Sequence, residues 1–172
     1  MTKDYKKVLK DKRLEAGKLM TEDQIGKVNA AIHTASVASG VAGAIPIPVA
    51  DAIPISAAQI TMVLALGKTF DQELTDSAAK AIIAAAASTF VGRNLIKLVP
   101  IGGWIVSAAV AAGVTEAIGW TVAVDFAKIA RKEWDRKRNA QEAAEAYAEA
   151  EYYKSKNSNS SDINEDAEDF GE

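Results

Sequence analysis

The stretch that decides the fold is residues 98–127, LVPIGGWIVSAAVAAGVTEAIGWTVAVDFA. It opens with 18 uncharged residues, Leu98 to Thr115, and Pro100, Gly102 and Gly103 lie near its start. Because proline and glycine interrupt helices, this cluster predicts the end of one helix and the start of the next. Apolar residues then follow at helical spacing, so the second part predicts a buried helix.

Small residues recur at four-residue spacing in two parts of the chain. One stripe contains Ala109, Gly113 and Ala117, and neighbouring stripes near residues 35–44 are built in the same way. Since small side chains let helix backbones approach closely, both segments are expected to pack tightly against other helices.

Start and stop signals divide the remaining sequence into helices. Residues 3–19 predict an amphipathic basic helix, whose polar side carries Lys6, Lys7, Lys10, Arg13 and Lys18. Thr21 followed by Gln24 has the spacing of a capping box, which predicts a helix from Glu22 to about Ala44. The pair Pro46 and Pro48 ends that helix.

Two further helix starts follow the proline pair. Asp51 is a suitable N-cap, with Pro54 in the first turn, where a missing N–H costs little. Thr75 is the next N-cap and predicts a helix from Asp76 to about Leu98. No segment has the alternation of a half-buried strand.

These elements predict an all-α fold. We expect a compact Ala/Gly-rich helical bundle of four or five helices, with a long C-terminal helix and a disordered acidic tail. The predicted divisions are a basic amphipathic N-terminal helix over 1–29, an apolar helical core domain over 30–130, a charged helical extension over 131–156 and the acidic tail over 157–172.

The composition excludes several classes of site. The 172 residues include no cysteine and a single histidine, His33, so thiol catalysis, cysteine-bound metals and multi-histidine metal sites are excluded within one chain. His33 is interpreted as an ordinary core or surface histidine. The net charge of −3 argues against nucleic-acid binding. Phosphate-loop, nucleophile-elbow and His-Glu-x-x-His motifs are missing, so no enzyme activity and no cofactor are predicted.

Polar residues in the apolar core must be exposed or paired, because an unpaired buried charge costs several kcal/mol. Arg93 or Lys97 is expected to pair with Glu116 across a helix hairpin. Basic residues that are not used in such ion pairs are suited to binding an anionic lipid headgroup or a protein partner. The candidate contact residues are Arg93, Lys97, Lys128, Arg131 and Lys132.

Location remains open between three alternatives. The uncharged runs and the spacing of Trp104 and Trp120 fit an integral membrane protein, although Glu116 falls inside that span. The basic residues fit reversible association with an anionic surface, and the whole pattern also fits a soluble bundle. No secretory signal is recognisable, so a cytoplasmic or cytoplasmic-membrane location is expected.

About residues 30–130 resemble a bacterial family, the domain of unknown function 697 or YcjF-like helical domain. The order and spacing of certain residues carry the resemblance: Pro46, Pro48, Asp51, Pro54, Gln59, Met62, Pro100, Gly102 and Gly103. Members are often fused to Era-like or dynamin-like GTPase domains, and some are predicted membrane proteins. The resemblance therefore implies a GTPase-type partner, which must be a separate protein because this chain has no phosphate loop.

The sequence predicts a non-enzymatic helical interaction module that is membrane-associated or partners a GTPase-type protein. The alternatives are a small integral membrane protein with apolar helical hairpins and a pore-forming or toxin-like protein. Self-association through the Ala/Glu helix at 140–153 is a further expectation, although its apolar side, mostly Ala and Tyr, does not fit a coiled coil.

Overall fold

The computed structural model describes residues 3–43, 52–94 and 108–165, with side chains for 7–43, 55–88 and 108–157. Within these ranges the chain is all-α, with five helices and no strand: α1 (Lys3–Leu19), α2 (Glu22–Ala42), α3 (Ala52–Thr69), α4 (Asp76–Asn94) and α5 (Ala108–Glu165). The predicted fold class is confirmed.

Several residues that carry the sequence predictions lie in other parts of the chain. Those outside the described residues are Pro46, Pro48, Asp51, Lys97, Pro100, Gly102 and Gly103. Pro54 lies in α3 and Arg93 lies in α4, and only their backbone is described.

The predicted helix caps are confirmed at two starts. The Thr21 side chain accepts from the Gln24 backbone N–H at 3.3 Å, and the Gln24 side chain accepts from the Thr21 N–H at 3.0 Å. Thr75 accepts from the backbone N–H of Ala78 at 3.2 Å. These bonds satisfy donors that the first turn of a helix leaves without an intrahelical acceptor.

A tight connection joins α3 to α4. The backbone N–H groups of Phe70 and Gln72 both donate to the Gly67 carbonyl oxygen, at 3.0 and 2.9 Å. Asp71 takes a left-handed φ of 55°, which aspartate tolerates better than most residues. A Cβ at Gly67 would lie 2.7 Å from Leu74 Cδ1, so the turn requires glycine at that position.

The hydrophobic core gathers around the first part of α5, where Ile118, Val122 and Val124 are almost fully buried. A Cβ added at Gly119 would lie 2.7 Å from Ile32 Cγ1 in α2 and 2.9 Å from Met62 Sδ in α3. Three helices therefore meet closely at this glycine.

Small residues also bring α2 close to the start of α5. A Cβ at Gly40 would be 3.3 Å from the Ala108 carbonyl oxygen and 3.4 Å from Ala112 Cβ. The prediction of close helix approach is confirmed at this position.

The chain divides into two compact units, Met1–Arg131 and Lys132–Glu172. Helix α5 belongs to both and runs to Glu165, so the backbone of residues 158–165 is helical where the polar composition predicted a tail. No glycine or proline occurs between Trp120 and Phe170, which removes the strongest helix breakers from this segment.

One helix in the described part of the chain, Ala108–Asn157, is long and apolar enough to cross a membrane by length and composition. Of the most apolar 18-residue stretch of this helix, 61% is buried inside the protein. The buried core helix of a soluble protein has the same properties.

Candidate functional site

Helix α1 is attached to α5 by charged contacts. The Arg13 guanidinium pairs with the Glu116 carboxylate, and its carbon lies 5.4 Å from the centroid of the Trp120 ring. More than three turns farther along α5, the Lys128 ammonium lies 2.6 Å from a Glu15 carboxylate oxygen. These contacts fix the rotation of α1 and decide which of its faces points outward.

The ion pair between Lys128 and Glu15 shifts the pKa of both residues. The hydrogen bond from Lys128 lowers the pKa of Glu15, and the same bond raises the pKa of Lys128. Both groups therefore remain charged over a wider pH range than they would in the unfolded chain.

The outer face of α1 is basic. Lys7, Lys10 and Lys18 are exposed, and none of them forms an ion pair within the part of the chain that the structure describes. Leu14 lies on the same face, because it is seven residues from Lys7 and four from Lys10 and Lys18, and 58% of its surface is exposed. We refer to Lys7, Lys10, Leu14 and Lys18 as the basic outer face of α1.

The predicted polar side of α1 is thus corrected at one residue. Arg13 was grouped with the outward lysines, whereas its guanidinium turns toward Glu116 and Trp120. Sequence reasoning also expected Arg93 or Lys97 to pair with Glu116; both side chains lie outside the described residues, among which Glu116 pairs with Arg13. The helical period could not reveal the pairing of Arg13 with Glu116, because the two residues lie in different helices, 103 positions apart in the sequence.

Among the other predicted contact residues, Lys128, Arg131 and Lys132 are all exposed along α5. The Lys128 ammonium is engaged by Glu15. Arg131 is exposed at the end of the first unit, and Lys132 is exposed at the start of the second.

An apolar groove lies between α2 and α5. It is lined by small and β-branched residues together with His33 and Ser36: Val37, Gly40, Val41, Ala108, Ala109 and Ala112. Val41 is 64% exposed, and His33 is at the surface, which agrees with its predicted ordinary role. The buried Ser36 hydroxyl oxygen has no hydrogen-bond partner within the described residues.

A buried chain of hydrogen bonds joins three helices. The Gln59 amide of α3 donates to the Thr115 hydroxyl of α5 at 3.1 Å, and that hydroxyl donates to the Ser39 hydroxyl of α2 at 3.0 Å. Gln59 was predicted to need a partner, and the structure supplies one. The arrangement contains no titratable base, so we interpret it as a device that sets helix register.

The described residues hold no group of three or more histidines, cysteines and acids that could bind a metal ion. At the α3–α4 turn, Lys68, Asp71 and Glu73 line a shallow, open pocket, but no nucleophile and base meet there.

Comparison with protein-family models, with curated proteins and with solved structures finds no match to this chain. The resemblance to the domain of unknown function 697 family therefore stays a prediction.

Proposed function

We propose that this chain is a non-enzymatic helical interaction module that associates with the anionic cytoplasmic face of a membrane through the basic outer face of α1. The observation that carries the proposal is the exposure of Lys7, Lys10 and Lys18 around an exposed Leu14. Lysines that surround an exposed leucine on one helix face suit contact with both anionic headgroups and the acyl boundary beneath them.

The expected strength of membrane association follows from these four residues. Each lysine near an anionic surface contributes about 1 kcal/mol. Insertion of the leucine adds about 1 to 2 kcal/mol, and the exposed Asp11 on the same side offsets part of the total. A sum near 4 kcal/mol corresponds to millimolar affinity, so the association is weak, reversible and sensitive to salt.

Surface contact fits the structure better than spanning does. The apolar part of α5 is largely used for packing inside the protein, where Ile118 and Val122 are buried. Thr115 in the same stretch is hydrogen-bonded to Gln59 and Ser39 rather than facing outward. Release of this helix into a bilayer would break those contacts.

A protein partner is the second candidate. The α2–α5 groove presents exposed Val37 and Val41 beside the small surface of Gly40 and Ala112, which suits an apolar side chain of another protein. A GTPase-type protein is the first partner to test, because the family resemblance implies one.

Vesicle binding of the full chain tests the proposal. Phosphatidylcholine vesicles with and without phosphatidylserine are mixed with the protein, sedimented, and washed with about 1 M salt, where the Debye length is about 3 Å. The proposal predicts binding only to the anionic vesicles, release by salt, and loss of binding when Lys7, Lys10 and Lys18 are changed to Gln.

A matched variant in which Lys27, Lys68 and Lys80 become Gln removes the same charge from exposed positions elsewhere and should bind as the parent does. Retention through salt and alkaline carbonate would overturn the proposal in favour of an integral protein. Dye release from loaded vesicles would favour the pore-forming alternative. Lack of binding to any vesicle would overturn it in favour of the protein partner.

A further inference from the structure

The second unit presents a helix surface that its own fold leaves uncovered. Over residues 132–157 every side chain is exposed except Asp135, which is half-buried. Large apolar groups are included, since Trp134 and Tyr147 are 58% and 70% exposed. A helix of this kind, if it stands alone, depends on pairs within itself, each worth about 0.2 to 0.5 kcal/mol.

The pairs within this helix are local. Arg138 contacts Asp135 at 3.3 Å and Glu142 at 3.7 Å, and its guanidinium stacks on the Trp134 ring. Gln141 donates to Glu145 at 2.9 Å. These contacts stabilise the helix without covering the aromatic and alanine surface.

Charge on this helix is divided into two blocks. The basic block, residues 132–138, has four cations and two acids, for a net charge of +2. The acidic block, residues 142–151, has four glutamates and no cation, for a net charge of −4. The block centres are about 17 Å apart along the helix, which exceeds a Debye length of about 8 Å, so the blocks barely attract each other within one chain.

We infer that residues 132–151 associate with the same segment of a second copy of this chain, in antiparallel orientation. That orientation lays the basic block of each copy against the acidic block of the other, and it does so twice. Parallel pairing would place like charges together, which is unfavourable.

The antiparallel overlay of the two copies, which lays the basic block of each against the acidic block of the other, has a definite centre. When residues 132–138 of one copy are laid against residues 145–151 of the other, the midpoint falls between Gln141 and Glu142, and Ala140 of one copy lies opposite Ala143 of the other. Alanine at these positions permits a close approach of the two helices. The same overlay places Arg136 opposite Tyr147, where a guanidinium can stack on the exposed ring.

Complementary charge variants of the full chain test the inference. In the first, Glu142, Glu145, Glu149 and Glu151 become Lys, and in the second, Lys132, Arg136, Lys137 and Arg138 become Glu. Lysine and glutamate have similar helix propensities, and circular dichroism checks that helix content is kept. By sedimentation equilibrium, the parent chain is expected to approach twice its 18.2 kDa mass as its concentration rises, and less so at high salt.

Each variant alone is expected to remain a monomer, and the equimolar mixture should regain the doubled mass. A parent that stays at monomer mass at all concentrations would overturn the inference. The same holds for a variant that dimerises alone as well as the parent does, or for a mixture that does not regain the mass.

Orientation is tested by single cysteines, which the native chain lacks. Under oxidation, Ala143→Cys lies near the centre and should give a disulfide-linked dimer. Ala150→Cys should not, because the two copies of this position would be about 25 Å apart in the antiparallel overlay. Efficient linking through Ala150→Cys would require a parallel pair and would overturn the proposed arrangement.

Discussion

Arg13 in α1 and Glu116 in α5, 103 positions apart in the sequence, form an ion pair that attaches the N-terminal helix to the core helix. The Trp120 ring lies beneath the same guanidinium, so Arg13 makes contact with a charge and with an aromatic face. This contact orients α1 so that its basic outer face is available for binding.

Removal of this ion pair should weaken the fold only modestly. Because Arg13 is about half exposed, Glu116→Gln is expected to lower the free energy of unfolding by about 0.5 to 1 kcal/mol. The exposed Glu73→Gln is the matched control and should stay within about 0.5 kcal/mol of the parent. Urea denaturation of both variants provides the comparison, and equal losses would mean that the pair does not hold α1.

The Trp120 ring, which lies against the Arg13 guanidinium, gives a second prediction. Trp120 is 3% exposed, and its indole N–H has no hydrogen-bond partner among the described residues. Trp120→Phe should cost clearly less than Trp120→Ala, because the smaller cavity it leaves is partly offset by loss of an unpaired donor, whereas Trp120→Ala should cost about 3 to 5 kcal/mol by opening a large cavity. Thermal unfolding separates the two, and a severe loss in the Phe variant would show that the indole nitrogen is paired.

Stability should depend on pH through Glu15. The Lys128 hydrogen bond lowers the pKa of this carboxyl in the folded state. The resulting stabilisation is present above the unfolded-state pKa of about 4.3 and is lost as the pH falls through the folded pKa. Lys128, whose folded pKa is raised, contributes stability below its unfolded pKa and loses it as the pH rises through the folded value.

Glu15→Gln removes both parts of this pH dependence. Its free energy of unfolding should change less than that of the parent between neutral and acid pH. It should also change less than that of the parent between neutral and strongly alkaline pH. Lys128→Gln is expected to remove the alkaline part and only some of the acid part, because Lys12 still pairs with Glu15 at 3.4 Å. Denaturation over a pH series measures the effect, and parallel curves for variant and parent would contradict the assignment.

Two glycines should respond to alanine in opposite directions. At Gly119 a methyl group would crowd Ile32 and Met62, so Gly119→Ala should lower the free energy of unfolding by about 1 to 3 kcal/mol. At Gly26, inside α2, no heavy atom lies within 4 Å of the added methyl group. Gly26→Ala should therefore raise stability by about 0.5 to 1 kcal/mol through helix propensity.

Ile32→Ala combined with Gly119→Ala should cost less than the two single variants added together, because it removes both Ile32 atoms, Cγ1 and Cδ1, that the new methyl group meets. Additive losses, or stabilisation by Gly119→Ala alone, would show that α2, α3 and α5 do not meet as closely as the structure describes.

Local signals made much of the fold predictable from the sequence. The capping box of Thr21 and Gln24 and the N-cap Thr75 depend on residues within one helical turn, and the structure confirms each of them. The close approach at Gly40 follows from a pattern of small residues, which needs no knowledge of the partner helix.

Contacts between distant helices could not be predicted in the same way. Sequence reasoning identified Gln59 and Glu116 as polar groups in need of partners, but it did not identify Thr115 and Arg13, with which they pair in the described part of the chain. Which residues face each other depends on the rotation and crossing of helices, which the period of one helix does not specify. Leu14 is different: its four-residue spacing from Lys10 and Lys18 already places it on the lysine face, so its exposure was predictable from the period and was missed.

The polarity around Leu14 during vesicle binding tests the central claim most directly. Since the chain has no native cysteine, Leu14→Cys can carry a polarity-sensitive fluorophore, with the exposed Thr61→Cys in α3 as the matched position. The account predicts a blue shift and brighter emission at position 14, only with anionic vesicles and reversed by salt, and little change at position 61. An unchanged spectrum at position 14, or an equal shift at both positions, would contradict association through the basic outer face of α1.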